Sequence, residues 1–184
     1  YAEMRQTMAS IKGITWQRLE KENCVTYPCA AEDEAGKVIL FGDGFPTENG
    51  RAKLVPANVQ PPNEIPDEEF PVVLTTGRML EHWHTGAMTR HAQVLSALEP
   101  EAVVSLHPEA IKTLGIEAGE KVCVTSRRGS ITLKTRADRD VPESMAFIPF
   151  CFNEAAANLL TNSELDPYGK IPEFKFSAVR VEKA

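Results

Sequence analysis

The sequence predicts a mainly β fold that closes as a small barrel with a few short helices, and three features of the pattern carry that expectation. Short β-branched or apolar runs, too brief for helices, recur at Pro71–Thr76, Ala102–Leu106, Met145–Ile148 and Phe176–Val181. Between Lys121 and Ser126, Val122 and Val124 alternate with polar neighbours. Arg127-Arg128-Gly129 then turns the chain, and Ile131, Leu133 and Thr135 alternate on the return, a hairpin with one buried face. Helical signals are brief: Pro108 and Glu109 suit a first helical turn, Gly115 offers a left-handed stop, and another short helix is expected over Glu154–Leu160.

The first part of the chain reads differently. Residues 1–55 carry a short helix before Gly13, a second at Trp16–Glu20, and turn-rich sequence through Phe41-Gly42-Asp43-Gly44-Phe45-Pro46; this is not the pattern of a self-sufficient domain. Residues 56–70, with Pro56, Pro61, Pro62 and Pro66 among acidic residues, favour extended backbone and are expected as a linker. The barrel is expected over 71–184. The chain opens on Tyr1 without Met or an apolar signal segment, which reads as an excised piece.

Composition narrows the function. A net charge of -6 and a pI near 5.3 argue against nucleic-acid binding, which needs a basic surface to release counterions. The four cysteines form no C-x-x-C pair, so neither a zinc ribbon nor an iron–sulfur ligand run is legible, and a reducing, cytoplasmic compartment is expected. The longest apolar stretch, around Ala146–Phe150, is broken by Pro149 and far too short to span a bilayer.

The densest chemistry follows the first barrel strand, from Thr76-Gly77-Arg78 through His82-Trp83-His84-Thr85-Gly86 to Met88-Thr89-Arg90. Gly77 and Gly86 allow close backbone approach, while Arg78, His82, His84, Thr85 and Thr89 offer polar groups, a set suited to an anionic, multi-ring ligand. Metal ligation by His82 and His84 would need partners that only His91 and His107 supply, and no nucleophile elbow of a hydrolase is present. The residues alone leave turn capping and ligand binding equally open. Arg127-Arg128-Gly129 reads first as a solvated turn and second as a phosphate or partner contact. Asn158, among small and apolar residues, reads as a buried amide or a helix-internal cap. Phe174-Lys175-Phe176 reads as strand packing with an exposed lysine.

These same segments resemble the carboxyl-terminal region of the molybdopterin oxidoreductase family, which includes formate dehydrogenases, periplasmic nitrate reductases and dimethyl sulfoxide reductase. The likeness runs through Thr76–Arg90, Leu106–Gly129 and Ile171–Val181 in family order. Gly13-Ile14-Thr15-Trp16 and Asp43–Ala52 extend it upstream as a remnant of the preceding domain. The Gly-Arg…His-Trp-His-Thr-Gly segment is shared with nitrate reductases. Phe147–Phe150, Asn153–Thr161, Leu165-Asp166-Pro167 and Lys170–Lys175 resemble the formate dehydrogenase version more closely; Cys151 and Ser177 depart from it.

The resemblance implies a double-psi β-barrel closing over a bis-molybdopterin guanine dinucleotide that carries molybdenum or tungsten. It assigns cofactor-binding roles to Gly77, Arg78, His82, His84, Thr85, Met88, Asn158, Phe174 and Lys175. It places the catalytic and metal-ligating residues and the 4Fe-4S clusters upstream, none of them in this chain. The partners implied are the rest of the catalytic subunit of a formate dehydrogenase and electron-transfer subunits. A nitrate reductase domain is the nearest alternative, and a stand-alone double-psi barrel binding module without redox chemistry is the alternative from another class.

Overall fold

The computed structural model describes residues 1–184 and divides into two compact units, Tyr1–Asn58 and Val59–Ala184. In the first, helices α1 (Ala2–Thr7) and α2 (Trp16–Glu22) flank a 3-10 turn at Ala9–Ile11. The Thr15 side chain caps α2 by accepting from Arg18 N–H at 3.0 Å. Little apolar burial supports this unit; Ile14 and Cys29 are its buried apolar residues. Its centre is instead polar: Arg18 donates to the carbonyl of Glu34 at 2.7 Å and to Glu22 at 3.1 Å, and approaches Cys29 Sγ at 3.3 Å. That shortage of core explains why the sequence does not read as an independent domain.

The second unit is the expected mainly β barrel. Its strands are β1 (Val72–Gly77), β2 (Val103–Leu106), β3 (Lys121–Thr125), β4 (Ser130–Ala137), β5 (Met145–Pro149) and β6 (Ser177–Lys183), closed in the order β1-β5-β2-β4-β3-β6. Two pairs, β1 with β5 and β2 with β4, are parallel, and the other pairs are antiparallel. The loop-rich segments 78–102 and 107–120 each cross over to a strand that is not a neighbour, β1 to β2 and β2 to β3, leaving the places that β5 and β4 later fill in parallel. Helix α3 (Gln93–Leu98) lies in the first crossover and α4 (Pro108–Thr113) in the second.

The barrel closes because the alternation in the sequence aims one face of each strand inward. Leu74, Val104, Val122, Val124, Ile148 and Val179 are each fully buried, and Ile131, Leu133 and Thr135 follow in period two along β4. Each such aliphatic side chain stabilises the fold by about 1.5–3 kcal/mol relative to exposure.

Helix α4 starts as the sequence predicts, with Pro108 in its first turn. His107 is the cap, its Nδ1 accepting from Glu109 N–H at 3.2 Å, and Gly115 ends the segment at φ +66. Replacing His107 with Ala is expected to lower stability by about 1 kcal/mol, read as a small shift of the urea midpoint with unchanged slope. A shift indistinguishable from zero would show that the backbone fixes α4 without its cap.

Three expectations are corrected. The helix expected over Glu154–Leu160 is two 3-10 turns, Asn153–Ala155 and Ala157–Leu159, separated by Ala156 in extended conformation. Phe152, Ala155, Ala157 and Leu160 all face inward, and a spacing of two to three residues fits tighter turns than an α-helix. The amide buried in this region is Asn162, at 7% exposure, and not Asn158, which is exposed.

The third correction concerns the stretch expected as a linker. From residue 63 onward it is strapped to the barrel. Asn63 N–H donates to Glu173 at 3.2 Å, Arg127 pairs with Asp67, and Phe70 is buried with the guanidinium of Arg127 4.6 Å from its ring centre. Glu64 accepts from Arg128 and from Ala178 N–H. The hairpin turn expected as solvated is thus the anchor of this strap, because the acidic residues between the prolines match its two arginines.

Candidate functional site

The parallel pair β1–β5 ends in register at Gly77 and Pro149, and the pairing runs one residue further, Phe150 N–H donating to the Gly77 carbonyl at 3.1 Å. Gly77 is required there: a Cβ would lie 2.5 Å from the Phe147 ring. The loop that leaves β1 is braced from within. His82 is fully buried, its Nε2–H donating to the Glu99 carbonyl at 2.9 Å while its ring meets Phe152 edge-on at 5.6 Å. Arg90 covers Phe152 at 4.6 Å and pairs with Glu154 at 2.7 Å. Trp83 N–H donates to Thr89 Oγ1 at 2.9 Å.

This bracing turns several side chains outward. Arg78, His84, Thr85 and Met88 are exposed, with the Arg78 guanidinium 5.5 Å from the Trp83 ring centre. His84 holds a left-handed backbone, φ 51, and its ring lies 5.2 Å from that of Phe150.

The entry to β6 joins them from the other end of the chain. Thr76 Oγ1 donates to the Phe174 carbonyl at 2.7 Å, and Lys175 Nζ donates back to the Thr76 carbonyl, a reciprocal tie across the end of β1. Lys175 Nζ is 5.8 Å from the Phe150 ring and 5.3 Å from that of Phe174.

Barrel closure therefore gathers Gly77, His84, Phe174 and Lys175 about Phe150, with Arg78, Thr85 and Met88 on the same loop. Two expected residues sit elsewhere. His82 is sealed beneath the loop with internal contacts, its buried Nδ1 lacking a partner. Asn158 is exposed on a 3-10 turn, its carbonyl accepting from Thr161 at 3.2 Å, and it bonds none of the gathered residues.

Sequence reasoning gave no role to Thr76, Phe150 or Asn162. Thr76 and Phe150 stand in the segments it named, but at the ends of strand runs, where packing accounts for them. Asn162 shares its amide among the carbonyls of Glu173 and Phe176 and the Glu173 carboxylate at 2.8–3.2 Å, and so fixes the approach to β6. Its only signal was an amide near the run of alanines. Cys151, a departure from the resemblance, is buried with Sγ 3.4 Å from Met79 Sδ; burial pushes its thiol pKa up, so it stays protonated at neutral pH.

The profile of the family described as the molydopterin dinucleotide binding domain matches residues 72–178, more than half of the chain. The chain belongs to this family.

Among curated relatives of this molydopterin dinucleotide binding domain, the F420-dependent formate dehydrogenase subunit alpha of Methanocaldococcus jannaschii is 42% identical over 183 residues. The match covers 100% of this chain and 27% of that protein. The assimilatory nitrate reductase catalytic subunit of Bacillus subtilis is 33% identical over 180 residues, 96% of this chain and 25% of its own length. The chain thus spans about a quarter of the length of these relatives. Among solved structures, acetylene hydratase from Pelobacter acetylenicus superimposes with a TM-score of 0.57 at 21% identity over 64% of this chain and 19% of its own, a likeness of fold.

The gathered surface fits a molybdopterin dinucleotide. A flat, amide-edged heterocycle needs aromatic faces and groups that both donate and accept, which Phe150, Phe174 and His84 present, and a diphosphate needs cations, which Arg78 and Lys175 supply. No helix of the chain is long and apolar enough to cross a membrane.

Proposed function

We propose that this barrel holds the dinucleotide end of the cofactor in the catalytic subunit of a formate dehydrogenase. The supporting observation is the match over the whole of this chain, at 42% identity, to a formate dehydrogenase alpha subunit, against 33% over slightly less of the chain for the nitrate reductase. In this reading Gly77, whose missing side chain admits the Phe147 ring, lets the end of β1 lie close under the heterocycle. Arg78 and Lys175 meet charge, and His84, Thr85 and Phe174 meet ring edges and faces, while Asn158 would reach the cofactor from its own 3-10 turn, apart from that group. Met88 supplies an adaptable apolar contact. His82 acts through the loop, which it fastens to Glu99. Residues 1–55 belong to the preceding domain.

The cofactor proposed is a bis-molybdopterin guanine dinucleotide with molybdenum or tungsten; when bound, its metal and dithiolenes supply the two-electron oxidation of formate to carbon dioxide. The 4Fe-4S clusters lie elsewhere in the full-length protein, which works with electron-transfer subunits in the cytoplasm. The acceptor is read from the relative's name, F420-dependent.

The full-length protein bearing this domain, purified anaerobically, is expected to reduce a redox dye with formate and to leave nitrate unreduced. The 184-residue chain alone is expected to do neither, since in this reading the catalytic residues lie upstream of it. Nitrate reduction without formate oxidation would transfer the reading to the nitrate reductases. Formate oxidation by the chain alone would overturn the division of labour between domains.

A further inference from the structure

The centre of the gathered surface is a residue that lies in the family-like segment Phe147–Phe150 but to which the sequence expectations give no role. Phe150 is registered against the last residue of β1 through its N–H bond to Gly77, and its half-buried ring is neighboured by an imidazole from the β1 loop and an ammonium from the approach to β6. Both polar groups belong to exposed residues while the ring itself is half-buried, as a floor would be. His84 moreover keeps φ 51. A non-glycine residue persists in that region only where its surroundings over-determine it, and the ring contact is one such determinant.

We propose that Phe150 is the positioning residue for heterocycle recognition: its ring holds the His84 imidazole and the Lys175 ammonium side by side, to take the 2-amino-4-oxopyrimidine edge that guanine and pterin share. The ammonium donates to the ring carbonyl, and an imidazole nitrogen accepts from an N–H of the neighbouring edge. An aromatic floor suits this task because its negative face attracts the ammonium and its edge packs the imidazole. The inference rests on the dinucleotide reading and deepens it.

The test is an NMR titration of the 184-residue chain with guanosine monophosphate, neopterin and inorganic diphosphate, observing the His84 ring resonances. Wild type is compared with Phe150→Tyr and Phe150→Leu, and thermal midpoints confirm folding. Wild type is expected to bind at least one heterocycle weakly, with Kd on the order of 1 mM. Tyr, which keeps the ring, should stay within about twofold. Leu, which keeps apolar volume alone, should weaken heterocycle binding about threefold to tenfold and leave diphosphate binding unchanged. In the free Leu variant the His84 ring signals should also lose the ring-current shift that Phe150 imposes. Heterocycle binding by the Leu variant equal to wild type, or an equal loss for diphosphate, overturns the role of Phe150 and leaves the dinucleotide reading standing. A wild-type chain that binds neither heterocycle overturns the dinucleotide reading itself. Binding of one heterocycle and not the other supports the proposal and identifies which end of the dinucleotide is held.

Discussion

Replacing Gly86 with Ala is expected to destabilise the barrel unit by about 3 kcal/mol and to lower its melting point by on the order of 10 °C. Two costs add at this position. The backbone sits at φ +76, where an L side chain costs about 1–2 kcal/mol. A Cβ would also lie 2.7 Å from the Cys151 carbonyl oxygen and 2.6 Å from Arg90 Cγ. Arg90 has a flexible side chain and can yield. The carbonyl belongs to backbone just beyond β5 and cannot move without disturbing the Phe150 contact with Gly77. Calorimetric melting of the variant beside wild type checks the figure; a change under about 1 kcal/mol would mean that the loop is free to shift away from β5. The same substitution should loosen the surface that His84 and Thr85 present, since both precede the distorted residue.

The strap offers the second large effect, with a sign that depends on pH. The Glu64 carboxylate, 12% exposed, accepts from Arg128 and from Ala178 N–H and lies 3.7 Å from Arg127. Arg128 also donates to the Leu160 carbonyl at 2.8 Å, so one cluster fastens the strap, the hairpin turn, the 3-10 segment and β6. Glu64→Gln leaves Arg128 without its anion and is expected to cost about 2 kcal/mol at pH 7, less than for a fully buried pair because solvent reaches the arginines.

Burial alone would raise the Glu64 pKa, but the Arg128 hydrogen bond, the Ala178 N–H and the two arginine charges outweigh it and hold it below the ordinary 4.5. The folded state therefore binds the proton more weakly than the unfolded chain does. The carboxylate's contribution is complete above the unfolded value and disappears as pH falls through the lower folded value. Urea denaturation of wild type and Glu64→Gln should accordingly show a gap at pH 7 that narrows below about pH 4. A gap of equal size at pH 3 would locate the stability in shape and not in charge.

Legibility of the fold followed how locally each element is determined. The β3–β4 hairpin was readable because alternation and turn chemistry lie within one short stretch, and α4 because Pro108 and Gly115 mark its ends. Helix α3 was not readable: its cap, Ala92, has no side-chain bond to offer, it buries no residue, and Val94 and Leu98 point outward. The run of alanines after Asn153 invited a helix on propensity, and the demand that Phe152, Ala155, Ala157 and Leu160 all face the barrel overrode it.

The candidate site divides the same way. Gly77, Arg78, His84 and Thr85 were legible because they crowd one loop. Their company with Phe150, Phe174 and Lys175 exists only after β1, β5 and β6 pair, so no local pattern could announce Phe150 as its hub. His82 shows the converse. It shares the polar character of its loop, but the first crossover folds back over it and makes it internal.

The order of the strands also governs when the ring can exist during synthesis. The final strand closes both remaining seams, pairing Val72 with Val179 on one side and Val124 with Val181 on the other. Until its residues have left the ribosome, β1 and β3 each keep an unpaired edge, the kind of template on which nascent chains join one another. Translation of this segment therefore passes through an adhesive interval that ends only when its last strand is released.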